Sequence, residues 1–194
     1  MAKRSAPEVN AGSMADIAFL LLIFFLVTTT IEVDSGIDRM LPPIEEVTPP
    51  PVNERNVFSV ILNGSDELLV QNERMELKDL KSKALAFIDN GGDGSCDYCK
   101  GKRDSGSSDN PRKAVISLKS ESGTSYGIYM AVQNELLGAY NQLRDIRSKT
   151  LHGKSFQEME ADFKDVNWPG NKDELKSKIE ALKKDYPAKL AEIQ

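Results

Sequence analysis

The run from Ile17 to Ile31, uncharged and apolar except for Thr28, Thr29 and Thr30, constrains this chain more than any other feature. As a helix it spans about 22 Å, and about 31 Å when extended back to Ala11, close to the hydrocarbon thickness of a bilayer. The stretch exceeds the apolar region of a secretory signal, and Val27 to Asp34 holds no small-x-small cleavage site, so an uncleaved anchor over residues 13–33 is expected. Lys3 and Arg4 precede the run and Glu32, Asp34 and Asp38 follow it, which places a tail of residues 1–12 in the cytoplasm and the rest beyond the membrane.

One acid stands at the start of this segment. An ionised side chain within a bilayer helix costs about 2.5–3.5 kcal/mol, so Asp16 either lies near the interface or has a function there. Two readings are open. Ser13-x-x-Asp16 resembles a capping box, and an acid in a first helical turn complements the macrodipole. Alternatively, Asp16 shares a helical face with Phe19, Leu20, Ile23, Val27 and Thr30, a stripe suited to partner helices, where a carboxylate can bind and release a proton as its surroundings alternate between wet and dry. Thr28, Thr29 and Thr30 can bond across helices or to their own i−4 carbonyls.

A chain of 194 residues with net charge −5 and 40% hydrophobic residues holds one anchor and one modest domain. Its pI of about 5.1 and interspersed charges exclude a general affinity for nucleic acid, and its mean hydropathy of −0.40 excludes a polytopic membrane protein. Residues 34–55 are rich in acid and proline and read as a flexible linker. From residue 56, Val57–Leu62 and Glu67–Gln71 read as strands joined by Asn63-Gly64-Ser65-Asp66. Glu76–Asn90 reads as a helix with Leu77, Leu80, Ala84, Leu85 and Ile88 on one face, Ala114–Lys119 as a strand, and Ser125–Ser148 as a long helix striped by Ile128, Val132, Leu136, Tyr140, Leu143 and Ile146. Phe87, Tyr126, Tyr129 and Met130 are expected to pack in the core.

Residues 90–111 form an insertion of Gly, Ser, Asp and Lys that is expected to be mobile. It carries Cys96 and Cys99, which can form a disulfide or remain free thiols. The only histidine, His152, is distant and no second cysteine pair exists, so a zinc site lacks ligands. Nor does a strand lead into a helix opening with the cysteines, as a thioredoxin-like site requires. No Ser/His/Asp set, phosphate-cradling glycine loop or metal cluster is present, so neither catalysis nor a cofactor is expected. The extension, residues 150–194, reads as one helix around Phe156, Met159 and Phe163, and a second around Leu175, Ile179 and Leu182. Trp168 is a packing anchor between them, and Tyr186–Ile193 forms an edge strand or a last helical turn. The extension is expected to pack on the sheet.

The segment Val9-Asn10, then Asp16, then Leu20-Leu21-Leu22-Ile23-Phe24-Phe25-Leu26-Val27-Thr28 resembles the ExbD/TolR family of proton-driven motor subunits, in which one N-terminal helix carries an essential aspartate. Asp16 matches that position; Ser13 departs from the proline the family often has there. The resemblance implies an α+β fold: a single transmembrane helix, a linker, and a small α/β periplasmic domain of order β-β-α-β-α, here with an added helical extension. It also implies a place, as a pair of copies, within an ExbB- or TolQ-like ring in the inner membrane, where the protonmotive force drives a TonB-like transducer. Met40-Leu41-Pro42 is similar to the family's apolar-Leu-Pro docking motif, although Pro43 and Ile44 depart from it. The alternative is a tethered periplasmic module that binds peptidoglycan or an envelope protein, including a TolR-like role, with Asp16 a helix cap only.

Overall fold

The computed structural model describes residues 11–28 and 52–193, in two units that divide between Asp38 and Arg39. The first contributes one helix, α1 (Ala11–Thr28). Among the described residues no helix is long and apolar enough to cross a membrane. The 18 residues of α1 rise about 27 Å, against about 30 Å of hydrocarbon, and the first turn is Ala11, Gly12 and Ser13 instead of bulky apolar residues. The expected span over residues 13–33 is therefore helical as far as Thr28, while residues 29–33 lie outside the described residues, as does the linker as far as residue 51.

The second unit is built on a five-stranded mixed sheet. A 3₁₀ turn at Glu54–Asn56 leads into β1 (Val57–Leu62), followed by β2 (Leu68–Val70), β3 (Glu73–Met75), α2 (Leu77–Ile88), β4 (Val115–Ser120), α3 (Tyr126–His152), α4 (Phe156–Lys164), α5 (Lys172–Asp185) and β5 (Leu190–Ile193). The strand order is β3-β2-β1-β4-β5. β1 pairs antiparallel with β2, as Val60 with Val70, and parallel with β4, as Val57 with Val115.

Alternation along the strands decides which face is covered. Phe58, Val60 and Leu62 of β1, Leu68 and Val70 of β2, and Ile116 and Leu118 of β4 are buried, with the residues between them less so. Over that face lie Leu80, Ala84, Phe87 and Ile88 of α2 and Val132, Leu136, Ala139, Tyr140 and Leu143 of α3. The Phe58 and Phe87 rings meet with centroids 5.0 Å apart.

Local chemistry sets the boundaries. Asn63 Oδ1 accepts from the Ser65 and Glu67 amides at 3.0 and 2.8 Å, closing the β1–β2 turn around Asp66 in the left-handed region. Ser125 and Asn171 cap α3 and α5, Ser155 and Glu158 form a reciprocal capping box on α4, and Gly153 ends α3 at φ 69°.

Three sequence expectations change and one open alternative is decided. A third strand, β3, follows β2 through Gln71-Asn72, both left-handed at φ 53° and 67°, as a two-residue hairpin requires. The C-terminal segment resolves as the edge strand β5, parallel to β4. On α3, Tyr126 is 76% and Ile146 44% exposed, because the covered stripe falls on Val132, Leu136, Ala139, Tyr140 and Leu143. Finally, α4 and α5 build a second apolar cluster of Phe156, Met159, Leu175, Ile179 and Leu182, with Trp168 packed against it, separate from the cluster that lines the sheet. Each of these short helices has one apolar stripe, and the two stripes cover one another.

Candidate functional site

Asp16 lies in the second turn of α1 and is exposed. It is the only ionisable residue between Ala11 and Thr28. On its own face Phe19, Leu20 and Ile23 are 63%, 59% and 41% exposed, and away from that face Met14, Ile17, Leu21 and Leu22 are all more than half exposed. Val27 belongs to the same helix, whereas Thr30 lies outside the described residues, as do Met40, Leu41 and Pro42. A helix apolar all the way round needs apolar surroundings on every side, unlike an amphipathic helix that covers one face of a soluble core. The Thr28 hydroxyl donates to the Phe24 carbonyl at 2.7 Å, so it satisfies its own helix. Within this helix the carboxyl of Asp16 is the one group that can take up a proton.

The insertion after α2 is knit by its polar side chains. Buried Asn90 donates through Nδ2 to the carbonyls of Asp104 and Ser108 at 2.8 and 2.7 Å, and accepts through Oδ1 from the Asp104 amide at 3.0 Å. Asn56 and Asp109 exchange bonds, with Asn56 Nδ2 donating to Asp109 Oδ2 at 3.1 Å and the Asp109 amide donating to Asn56 Oδ1 at 2.8 Å. Arg55 Nη2 lies 2.5 Å from Asp109 Oδ1, and Lys113 Nζ donates to Asp109 Oδ2 at 3.3 Å and Asp93 Oδ2 at 3.1 Å.

These contacts set the sign of a pH dependence. Bonds from the hydroxyl and amide of Ser95 hold the Asp93 carboxyl down at about 2, against an ordinary value of 3.8. The bond from Asn56, aided by Lys113 and Arg55, holds Asp109 below its ordinary value despite its burial. A carboxylate depressed in the folded state contributes stability above its unfolded pKa, and that contribution is lost as pH falls through the folded value. Burial raises Asp89 and gives it the opposite sign. The melting temperature is therefore expected to drop between pH 4 and pH 2, and Asp93→Asn to flatten that drop. An unchanged slope in the variant, followed by circular dichroism, would remove Asp93 from the account.

Cys96 and Cys99 form a disulfide with their Cα atoms 5.5 Å apart. Between them Tyr98 reaches the end of α5, where its hydroxyl donates to the Asp185 carbonyl at 3.0 Å. Its ring lies under the Arg147 guanidinium at 4.5 Å and meets the Tyr186 ring edge-on at 5.5 Å. Asp185 holds Arg112 at 3.0 Å and Arg147 at 3.4 Å, and the Tyr186 hydroxyl donates to Asp89 Oδ1 at 3.0 Å. Burial pushes the Tyr98 and Tyr186 phenols up. This cluster of Tyr98, Arg112, Arg147, Asp185 and Tyr186 is absent from the sequence reading, because its members come from four separate segments.

A cavity of about 170 Å³ between the end of α3 and the α4–α5 hairpin is lined by His152, Trp168, Asn171 and Glu174 among others. Around it Lys154 pairs with Asp162, and Lys178 with Glu174 at 2.6 Å. Among the described residues no group of His, Cys, Asp or Glu is placed to hold a metal ion.

The family described as biopolymer transport protein ExbD/TolR matches residues 2–144, most of the chain and the whole stretch from the helix of Asp16 through the larger part of α3. No curated protein matches the chain.

Proposed function

Since the chain belongs to the ExbD/TolR family of biopolymer transport proteins, we propose that it is an ExbD-like subunit of a protonmotive-force-driven motor, one that works with an ExbB-like ring to energise a TonB-type transducer for outer-membrane import. The observation that carries this reading is the single carboxyl, Asp16, on a helix otherwise apolar on every side. Such a helix needs both a membrane and protein neighbours, the first for its apolar surface and the second for its acid. In this reading residues 13–33 cross the inner membrane with the N-terminus in the cytoplasm, and a second copy sits beside the first within the ring. The folded domain then lies in the periplasm, an oxidising compartment suited to the Cys96–Cys99 disulfide. The protein turns over no substrate. One charge crossing 100 mV supplies about 2.3 kcal/mol, so each working stroke draws on several protons.

Tagged full-length chain, expressed with its genomic neighbours, tests the assembly. It should stay in the membrane fraction through alkaline carbonate washing and co-purify with a polytopic ring subunit. Release by carbonate, or purification without a ring, would overturn the reading. Cross-linking to a TonB-like protein, as opposed to a TolA-like one, separates the import role from a TolR-like role.

A further inference from the structure

We propose that the Cys96–Cys99 disulfide is a redox latch which, through Tyr98, holds the junction between α5 and β5 against the rest of the domain. The inference does not depend on what the motor drives.

The disulfide is seated deeply, with Cys96 4% and Cys99 6% exposed. The backbone at Gly91 runs against it so closely that a Cβ there would lie 3.1 Å from Cys99 Cβ, in a residue whose φ of +66° already favours glycine. One side of the small ring is thus fixed to the end of α2, and the other presents Tyr98. That side chain grips the start of the junction, bonding the carbonyl of Asp185, the last residue of α5, and meeting the Tyr186 ring. A second tie runs in parallel: Asp89 accepts from the Tyr186 hydroxyl through one oxygen and through the other from the amide of Lys100, the residue after Cys99, at 3.0 Å. The four-residue ring fixes where Tyr98 points, and the junction it grips leads into β5, one of the two edge strands of the sheet. β5 keeps its own ties, since it pairs in parallel with β4 from Ile116 and Leu190 to Lys119 and Ile193, and Gln133 Nε2 donates to Glu192 Oε1 at 2.8 Å. Opening the ring therefore loosens the junction without releasing the strand.

Entry for a reductant is present. A cavity of about 280 Å³ is lined by Ser95, Cys96, Asp97, Tyr98, Asn110 and Arg112. Cys96 forms part of its wall together with Asp97 and Arg112, the latter held by Asp185 at 3.0 Å. A dithiol reductant attacks the Cys96 sulfur, the S–S bond breaks, and Cys99 leaves with the electron pair and takes a proton. The second thiol of the reductant then displaces Cys96, which also takes a proton. Two electrons and two protons pass to the protein, and the reductant departs as its own disulfide.

Hydrogen exchange followed by mass spectrometry on the detergent-solubilised full chain tests the latch. Three samples are compared: oxidised protein, protein reduced with dithiothreitol with its thiols counted by alkylation, and the Cys96→Ser/Cys99→Ser variant. Amides over residues 186–189 should exchange about tenfold faster in the second and third than in the first, with residues 57–70 and the strand residues 190–193 unchanged. Tyr98→Ala with the disulfide intact should give the fast rate and no further response to dithiothreitol. Equal rates in oxidised and reduced protein, acceleration across residues 57–70 as well, a redox response that survives Tyr98→Ala, or a native disulfide that resists dithiothreitol would each overturn the proposal. Should the double variant not fold, the wild-type comparison and Tyr98→Ala still decide it.

Discussion

Replacing Asp16 by asparagine should reduce receptor-dependent uptake of cobalamin or an iron chelate to the level of a deletion strain, with membrane abundance and ring co-purification unchanged. The substitution keeps the size and shape of the side chain and removes its charge together with the ability to carry a proton. It cannot impair membrane entry by adding cost, because the amide replaces a charge that is itself costly at about 2.5–3.5 kcal/mol. Nor does it strip α1 of packing, since Asp16 is exposed on that helix. Asp16→Glu, which keeps the carboxyl on a longer stem, should retain part of the activity. The helix-cap reading makes the opposite forecast: in a Ser13-x-x-Asp16 box the acid only accepts a backbone bond, which an asparagine side-chain carbonyl also does, so the variant would import at wild-type rate. Complementation with both variants, scored beside immunoblots of the membrane fraction, separates the two.

The parts of the fold governed by near neighbours were legible in the sequence. Alternation in Val57–Leu62 and the stripes of α2, α4 and α5 depend on residues two to four apart, and each appears close to its expected place. β3 was not legible because its hairpin uses Gln71-Asn72 in place of the asparagine-glycine pair that usually marks such a turn. Asp16 stood out because one acid against an apolar helix is a contrast within a single window. The ties of the outer domain offer no such window. Tyr98 meets Asp185 across 87 residues, and Asn56 meets Asp109 across 53. Each looks like an ordinary polar residue until the chain has folded. The second apolar cluster was legible as two helices, but its partner was not: two amphipathic stripes are equally compatible with covering a sheet and with covering each other.

That cluster meets the main core at Arg144, where the second large effect is expected. Arg144 is 8% exposed. Its Nε and Nη2 both donate to the Tyr186 carbonyl, at 3.0 and 2.7 Å. Its guanidinium lies 6.0 Å from the Tyr140 ring of the main core and 5.4 Å from the Phe156 ring of the second. Burial disfavours its charged form and lowers its pKa, so the residue is held against a desolvation cost by what it bonds. Arg144→Met fills most of the volume and leaves the Tyr186 carbonyl without either donor. A buried acceptor stripped of its partner costs about 1–3 kcal/mol, which in a domain of this size lowers the melting temperature by roughly 3–10 °C. Arg144→Lys, with one nitrogen in place of a planar fork, should fall between the two. Urea titrations of all three proteins give the free energies directly. A methionine variant within about 0.5 kcal/mol of wild type would mean that the desolvation of Arg144 cancels its bonds, and that apolar contact alone joins the helical hairpin to the sheet domain.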